Sequence, residues 1–409
     1  MSVDNTLSFD GHVFGKASLS EVLKMGAKRL LMQAVEQEVA DYILHHETLR
    51  DSEGCRLVVR NGHSKERTIH TGLGPIDISM PRINDKRPDG HFVSRILPPY
   101  LRKTQEIEEL IPWLYLKGVS TGDFSDALRS LVGDNAKGFS ANTVVRLKET
   151  WLTEFDVWSR RSLADTEYVY FWADGVYFNI RLEAEKQCIL VIIGVKPDGT
   201  KELVAVEDGV RESELSWTQI LVDLKNRGLE KCPQLAIGDG ALGFWNAMDK
   251  VYPQTRHQRC WVHKTANVLN KLPKSQQVNA KSLLCEIYMA ATKKDASLAW
   301  NLFVETYHEK YPKAVECLEK SKNELLTFYD FPASHWIHIR TSNAIESLFA
   351  TVRLRHRKTK GSGSAHACLA MVFKLAQSAQ KRWRKIRGHE KLLDVVQKIE
   401  FVDGIRKAA

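Results

Sequence analysis

The sequence feature that most constrains the fold is an uninterrupted apolar run at residues 188–195, CILVIIGV. A strand without polar positions must be covered on both faces, as the central strands of layered α/β proteins are. A second apolar run, YVYFWA, precedes it at 168–173, and a short strand at 234–238 lies between helical stretches at 216–227 and 241–251. Consecutive strands followed by alternating helix and strand predict a mixed α/β domain.

Two aspartates follow strands of this region, and a glutamate lies on a later helix. Asp174 comes directly after YVYFWA, Asp239 directly after QLAIG, and Glu346 falls within the helical stretch SNAIESLF. A carboxylate at the end of an apolar strand is costly unless it is solvated, paired or bound to a cation. The glycine after each aspartate lets the chain turn sharply there. If the two strands are neighbours, the carboxylates converge.

Three converging carboxylates would form a cage of hard oxygen ligands, which suits Mg²⁺ or Mn²⁺ and not zinc. Two such ions would clamp the attacking and leaving oxygens of a phosphoryl transfer. Each acid alone has an ordinary interpretation, because Asp-Gly after a strand is usually a turn and Glu346 could be a surface residue. The order of strand-Asp, strands, helix, strand-Asp and helix-Glu is that of a ribonuclease H-like nuclease core.

The N-terminal region is predicted to be helical at 17–48 and to alternate as strands at 55–82, with a turn at Asn61-Gly62. Residues 104–151 return to helical spacing, with short helices separated by a glycine-containing turn, which suits a helix-turn-helix. Ser140 can cap the last of these helices. That helix would present four groove-facing side chains, Asn142, Thr143, Arg146 and Lys148. A plain three-helix bundle is the alternative.

The chain carries 59 Lys and Arg against 50 Asp and Glu, a net charge of +9. A basic excess favours a polyanionic partner without defining the fold. The densest basic run follows Glu346, and we predict that it holds DNA phosphates through Arg353, Arg355, Arg357, Lys358 and Lys360. A solvated helix face is the ordinary interpretation of such a run.

The segment HQRCWVH, which contains His257, Cys260 and His263, raises the possibility of zinc. No further Cys or His pair follows at finger spacing, so a closed four-ligand site is not expected. The sequence has seven cysteines and no CxxC pair, which does not indicate a disulfide framework. It has no apolar run long enough for a membrane span, no signal-peptide pattern and no Walker loop. We therefore expect a cytoplasmic, nucleoid-associated protein that has no membrane partner and uses no nucleotide cofactor.

Several stretches together resemble the Mutator-type (MULE-like) DDE transposases of bacterial insertion sequences. They span about residues 20–395 and include RNGHSKERTIHTGLGPIDISMPR, LYLKGVST, IGDGALGFWNAMDKVYP, QRCWVHKTANVLNKLPK, RTSNAIES and KRWRKI. The resemblance implies that Asp174, Asp239 and Glu346 are the catalytic, metal-binding triad. It also implies that Cys260 and His263, as the C-x-x-H signature, support the active site without binding zinc. Phe349 departs from the family pattern, which often has a polar residue there.

The resemblance implies a DNA transposase that uses two Mg²⁺ or Mn²⁺ ions to cleave the ends of its element and transfer the strands. Its DNA partners would be the terminal inverted repeats and the target duplex, bound by a homodimer or larger assembly. The implied fold is α/β, with a ribonuclease H-like mixed-sheet core, an all-α insertion and a mainly helical N-terminal DNA-binding region. The predicted segments are 1–100 (helix and β-hairpins), 101–160 (helix-turn-helix), 165–271 (core), 272–334 (insertion), 335–390 (core with Glu346) and 391–409 (tail).

Two other functions fit parts of the same pattern. A structure-specific nuclease with this core would hydrolyse strands without joining them, but the N-terminal DNA-binding region and the nearly full-length resemblance argue against it. A non-catalytic DNA-binding protein descended from a transposase is disfavoured by the intact set of three acids. A strand-transfer assay with Mg²⁺ and paired end DNA separates all three.

Overall fold

The computed structural model describes residues 8–9, 12–13, 18–88, 90–119, 141–180, 186–209, 211–358, 362 and 364–407. The chain divides into two compact units, Met1–Val145 and Arg146–Ala409. Helix α3, Ala141–Ser159, contains the boundary between them. Of the predicted helix-turn-helix, the helical segment at 124–131, the turn after it and the capping Ser140 lie outside the described residues.

The first unit contains a long helix and small antiparallel sheets. Helix α1, Leu19–His45, begins with a capping box in which Ser18 and Glu21 bond each other's backbone N–H groups. One side of α1 packs on the sheets, where the core residues are Val35, Ile69, Ile76, Ile78 and Leu97. The remaining elements are β1 Ser8–Phe9, β2 His12–Val13, β3 Val58–His63, β4 Arg67–Thr71, β5 Gly74–Ile78, β6 Pro81–Asp85 and α2 Gln105–Lys117.

The turn predicted at Asn61-Gly62 is wrong. Both residues lie within β3, which pairs antiparallel with β6, while β4 pairs with β5. Gly62 has a φ of +62°, and the register of β3 against β6 shifts between Arg60 and His63. An Asn-Gly pair supplies the left-handed conformation that a bulge needs as well as the one that a hairpin turn needs. The local signal therefore could not distinguish the two.

The second unit is built on one five-stranded mixed sheet. Its strands are β7 Tyr170–Asn179, β8 Lys186–Val195, β9 Lys201–Gly209, β10 Leu235–Gly238 and β11 Arg256–Arg259. The spatial order is β11-β10-β7-β8-β9, in which β7, β8 and β9 are antiparallel neighbours and β10 and β11 run parallel to β7. The mixed α/β prediction is confirmed.

Helices cover both faces of this sheet, as the apolar sequence of β8 requires. Helices α4, Glu214–Asn226, and α5, Leu242–Val251, join alternate residues of β8 in one large core. The intervening residues of β8, such as Val191, are also fully buried. Helices α12, Asn343–Lys358, and α13, Ala365–Gln380, pack against β7, β8 and β9.

The main elements between β11 and α12 are all helices. They are α6 Trp261–Leu269, α7 Lys274–Met289, α8 Lys293–Tyr307, α9 Pro312–Glu319, α10 Lys322–Leu326 and α11 Trp336–Ile339. Pro273 and Pro312 stand at the starts of α7 and α9, where a missing N–H costs nothing. The chain continues after α13 with α14 Leu392–Val396, β12 Phe401–Val402 and β13 Ile405–Arg406.

None of the described helices is both long enough and apolar enough to cross a lipid bilayer.

The packing of α4 on the sheet gives a matched stability test. Leu221 is fully buried in the core, whereas Leu215, in the same helix, is 69% exposed. We expect Leu221→Ala to lower the free energy of unfolding by about 2–5 kcal/mol, because it removes buried methyl groups and leaves a cavity. Leu215→Ala should change it by less than about 0.5 kcal/mol. Chemical denaturation of both variants measures the difference, and equal losses would contradict the packing described.

Candidate active site

Three parallel strands bring three side chains to one edge of the sheet. The register pairs Ile237 of β10 with Trp172 of β7, and Gly238 of β10 with Arg259 of β11. Continued by one or two residues, this register places Asp174, Asp239 and Cys260 at the same level. The backbone N–H of Cys260 donates to the carbonyl of Gly238 at 2.8 Å, which holds β11 in this alignment as it ends.

Asp174 does not end its strand, and this part of the sequence interpretation is wrong. β7 continues through Asp174 and Gly175 to Asn179, because these residues remain paired with β8. The shorter neighbour β10 ends at Gly238, so Asp174 is left without a strand partner on that side. The Asp174 carboxylate therefore lies half-buried at this edge of the sheet, beside the end of the shorter strand.

Asp239 is held by the turn that follows its strand. Its Oδ1 accepts a hydrogen bond from the backbone N–H of Ala241 at 2.7 Å. Gly240 between them has a φ of +93°, which favours glycine, and a Cβ there would lie 2.3 Å from the Arg259 side chain. The turn thus aims Asp239 back toward Asp174.

A fourth acid, Glu212, joins this pair and was missed by the sequence interpretation. Carboxylate oxygens of Asp174, Glu212 and Asp239 lie within 4.8 Å of one another. Glu212 lies in the connection between β9 and α4, next to Ser213, which caps α4. No strand end or motif marks it, because its proximity to the aspartates arises only when β9 and α4 fold around β7.

Glu346 lies in the first turn of α12, beside Cys260 and His263. Ligand atoms of these three residues are within 4.8 Å of one another, and His263 Nε2 is 3.9 Å from Glu346 Oε1. The buried Ser342 hydroxyl lies 3.1 Å from Glu346 Oε1 and 3.2 Å from Cys260 Sγ. The backbone N–H of Ser342 also donates to that sulfur. The start of α12 is therefore tied to the end of β11.

The electrostatics connect the two groups of acids through His263. Burial, and then the charge of Asp239, raise the pKa of Asp174 to about 7, while His263 acts in the opposite direction. A hydrogen bond with Cys260, together with the charges of Cys260, Asp174 and Glu346, raises the pKa of His263 to about 9. Burial and Asp239 also raise the pKa of Glu212. The raised pKa favours the protonated, cationic form of His263, whose Nε2 lies beside Glu346.

Cys260 is buried and belongs to this cluster, but His257 does not. Burial opposes ionisation of Cys260, yet hydrogen bonds with His263 and Ser342 outweigh it and lower its pKa. His257 instead stacks on Trp245 at a ring distance of 4.5 Å, with Nε2 3.3 Å from Asp249. Of the three candidate zinc ligands of the sequence, Cys260 and His263 therefore lie together and His257 lies apart from them.

The basic run after Glu346 does not form one surface. Arg353, Arg357 and Lys358 are exposed on α12, but Arg355 is only 2% exposed. A helix places every third or fourth residue on the same side, so Arg355 follows the buried Val352 inward. The expectation that Arg355 contacts phosphates is corrected accordingly, and Lys360 lies outside the described residues.

The residues predicted to read bases lie on or beside α3. Arg146 is exposed and Lys148 is partly buried on this helix. Asn142 and Thr143 belong to its first turn, and their side chains lie outside the described part of the structure.

Comparisons with known proteins show the family of the chain. The family model "Transposase, Mutator family" matches residues 10–386. The transposase for insertion sequence element IST2 of Acidithiobacillus ferrooxidans is 53% identical, over 68% of this chain and 95% of its own. The transposase for IS6120 of Mycolicibacterium smegmatis is 50% identical, over 69% of this chain and 87% of its own. The transposase for IS905 of Lactococcus lactis is 30% identical, over 73% of this chain and 74% of its own.

The likeness therefore defines the class of protein as a DNA transposase of the insertion-sequence type. Within that class the chain belongs to the Mutator family.

The raised pKa of Asp174 gives a test of the site without any cation. Because the pKa of this acid is about 7 in the folded chain and its ordinary value is 3.8, the folded state holds a proton that the unfolded state has lost between these pH values. The free energy of unfolding should then fall as the pH rises from about 4 to 7.

Asp174→Asn removes this loss. In EDTA, we expect the variant to gain about 1–3 kcal/mol over the native chain as the pH rises through that window, since one pKa unit corresponds to about 1.4 kcal/mol. Asp208→Asn, at an exposed position of β9, is the control and should follow the native curve. Urea denaturation at several pH values measures both, and parallel curves for Asp174→Asn and native protein would contradict the burial of an uncompensated charge.

Proposed function

We propose that this transposase cleaves and joins DNA by metal-dependent phosphoryl transfer, with Asp174, Asp239 and Glu346 as the catalytic triad. The observation that carries the proposal is the meeting of Asp174 and Asp239 at one edge of the sheet, with Glu346 connected to them through His263. Strand transfer forms one phosphodiester bond for each one that it breaks, so the joining step needs no nucleotide cofactor as an energy source.

We infer that the second unit is a ribonuclease H-like core with a helical insertion. Three consecutive antiparallel strands are followed by two parallel strands added on the side of the first, and this order supports the inference. Helices α7 to α10 lie between the last of these strands and the helix that carries Glu346, where the insertion was predicted. We propose the same segment boundaries that were predicted from the sequence.

The acids fit two divalent cations such as Mg²⁺ or Mn²⁺. Their ligand atoms are carboxylate oxygens, which hard cations prefer. The carboxylate of Asp174 is largely removed from water and repelled by Asp239, so a bound cation would stabilise its charged form. When bound, the cations supply Lewis-acid stabilisation of the attacking and leaving oxygens.

The protein's own residues would order the reaction around the scissile phosphate. Asp174 and Asp239 would hold the cations from the sheet edge, and Glu346 would contribute its carboxylate from α12. Water cleaves the bond to the 3′ oxygen, which leaves as a 3′-hydroxyl, and that hydroxyl then attacks a phosphate of the target and releases its 3′ oxygen. Cys260 and Ser342 act as positioning residues for His263 and Glu346, because they join α12 to the end of β11.

Two surfaces would hold DNA. The names of the relatives describe transposases for insertion sequence elements, and the ends of such an element are the expected ligands here. Arg353, Arg357 and Lys358 would hold phosphates near the triad, while α3 would read bases with Arg146, Lys148, Asn142 and Thr143. Because two ends must be held together before joining, we propose a homodimer or a larger assembly on DNA.

The triad is tested by substitutions that remove charge and keep shape. Asp174→Asn, Asp239→Asn and Glu346→Gln should each reduce cleavage of end DNA by at least about a thousandfold, since transition-state stabilisation of this size depends on the cations. Binding of the same DNA should survive. Cleavage and filter-binding assays with the DNA flanking the gene, with Mg²⁺ and with EDTA, provide the measurements. Native cleavage rates in all three variants, or full activity in EDTA, would refute the mechanism.

The two DNA surfaces are separated by salt dependence. Replacing Arg353, Arg357 and Lys358 with alanine should weaken all duplexes alike and flatten the slope of log affinity against log salt by about 0.9 per lost phosphate contact. Arg146→Ala should weaken end DNA more than scrambled DNA, because base edges differ between sequences and phosphates do not.

Alanine at the exposed Lys310, Lys313 and Lys320, outside both surfaces, is the charge-matched control for the triple variant. An unchanged salt slope in the α12 variant would reduce the basic run to a solvated face. Equal losses on both DNAs for Arg146→Ala would leave α3 as part of a plain helical bundle.

A further inference from the structure

We propose that Glu212 is a third carboxylate ligand of the cation held by Asp174 and Asp239, so that this cation has three protein oxygens before Glu346 takes part. The inference rests on the proposed metal-dependent function and extends it to a residue outside the triad. Glu346 would then serve mainly the second cation. Two observations support this role for Glu212 above all: its oxygens group with those of the two aspartates, and two glycines leave room for it.

The first observation is the grouping itself. Carboxylate oxygens of Glu212, Asp174 and Asp239 are mutually within 4.8 Å, whereas Glu346 groups with Cys260 and His263. Oxygens at about 2.1 Å from a shared Mg²⁺ lie up to about 4.2 Å apart, so a small closure of the cluster would complete the contacts. Within the described residues, no lysine or arginine forms an ion pair with any of these three acids. Their charges therefore lack a local cation from Lys or Arg.

The second observation is a space shaped for the Glu212 side chain. A Cβ on Gly175 would lie 2.5 Å from both Cγ and Cδ of Glu212 and 2.6 Å from its Oε1. Glu212 thus lies against the backbone of β7 beside Asp174. A side chain at position 175 would occupy the space that Glu212 takes. A Cβ on Gly243 of α5 would lie 2.5 Å from the Glu212 carbonyl oxygen. The absence of side chains at these two positions permits the close approach.

The third observation is the contact that holds the loop. The backbone N–H of Glu212 lies 3.4 Å from the hydroxyl of Tyr177, which is on the same strand as Asp174. The start of the connection to α4 is thereby held beside the strand that carries Asp174.

Direct binding of Mn²⁺ to the full-length chain without DNA tests the proposal, with free Mn²⁺ measured by electron paramagnetic resonance. Asp174→Asn and Asp239→Asn should lose the tight Mn²⁺. Glu212→Gln should weaken it by at least about tenfold, because ligand charge sets the affinity of oxygen sites. Glu346→Gln should retain it. Glu214→Gln makes the same charge change two residues further on, where the carboxylate pairs with Lys250, and should bind as the native chain does.

Gly175→Ala provides a variant that keeps all four acids. The new Cβ would meet the flexible end of Glu212, so we expect the chain to fold with this carboxylate displaced. Its Mn²⁺ affinity should fall in the same direction as that of Glu212→Gln. The double variant should bind no more weakly than Glu212→Gln alone, because both changes remove one ligand.

The outcomes separate this inference from the function on which it rests. If Glu212→Gln binds Mn²⁺ as the native chain does while the aspartate variants lose it, Glu212 is not a ligand and the proposed function stands. If Glu214→Gln weakens binding equally, the effect is one of net charge and the inference fails. If both aspartate variants bind like the native chain, or the native chain binds no Mn²⁺, the inference and the two-cation mechanism fail together.

Discussion

The repulsion between carboxylates gathered at one sheet edge is the constraint on which the candidate active site of this protein depends. Asp174, Asp239 and Glu212 lie close together, and the charge of Asp239 makes ionisation of Asp174 and of Glu212 less favourable. Such an arrangement costs free energy in the folded chain, because like charges at close range oppose each other. Burial of the apolar β8 on both faces, beside β7, contributes stabilisation that offsets this cost.

The sheet and the C-terminal helices are coupled through one small group of polar side chains. Cys260 ends β11, His263 follows it in α6, and Ser342 precedes α12, which carries Glu346. The hydrogen bonds among them connect positions that are about eighty residues apart in the chain. Helices α7 to α10, which follow α6, can therefore lie outside the site while β11 and α12 stay joined. His263 places a positive charge where the carboxylate groups meet, which offsets part of their repulsion.

Some features of this site were predictable from local patterns, and others were not. Asp239 and Glu346 were found because one ends an apolar strand before glycine and the other lies in a motif shared with a family. The same reasoning placed a turn at Asp174-Gly175, but the pairing with β8 carries the strand onward. Glycine at 175 has a different role there, since its missing side chain makes room for Glu212. A strand end and a strand crossed by a neighbouring carboxylate look alike in sequence.

The sequence by itself determined the mixed α/β class of the fold and the family, and it predicted the three candidate acids, because apolar runs must be buried and the motif residues are contiguous. It also determined that α12 is rich in basic residues, since composition is local. Only the tertiary structure decided that Glu212 joins the aspartates, that Arg355 turns inward while Arg353 and Arg357 remain exposed, and that His257 stacks on Trp245 away from Cys260. These outcomes depend on which elements pack together, and contacts between distant segments leave no periodic signal in either segment alone.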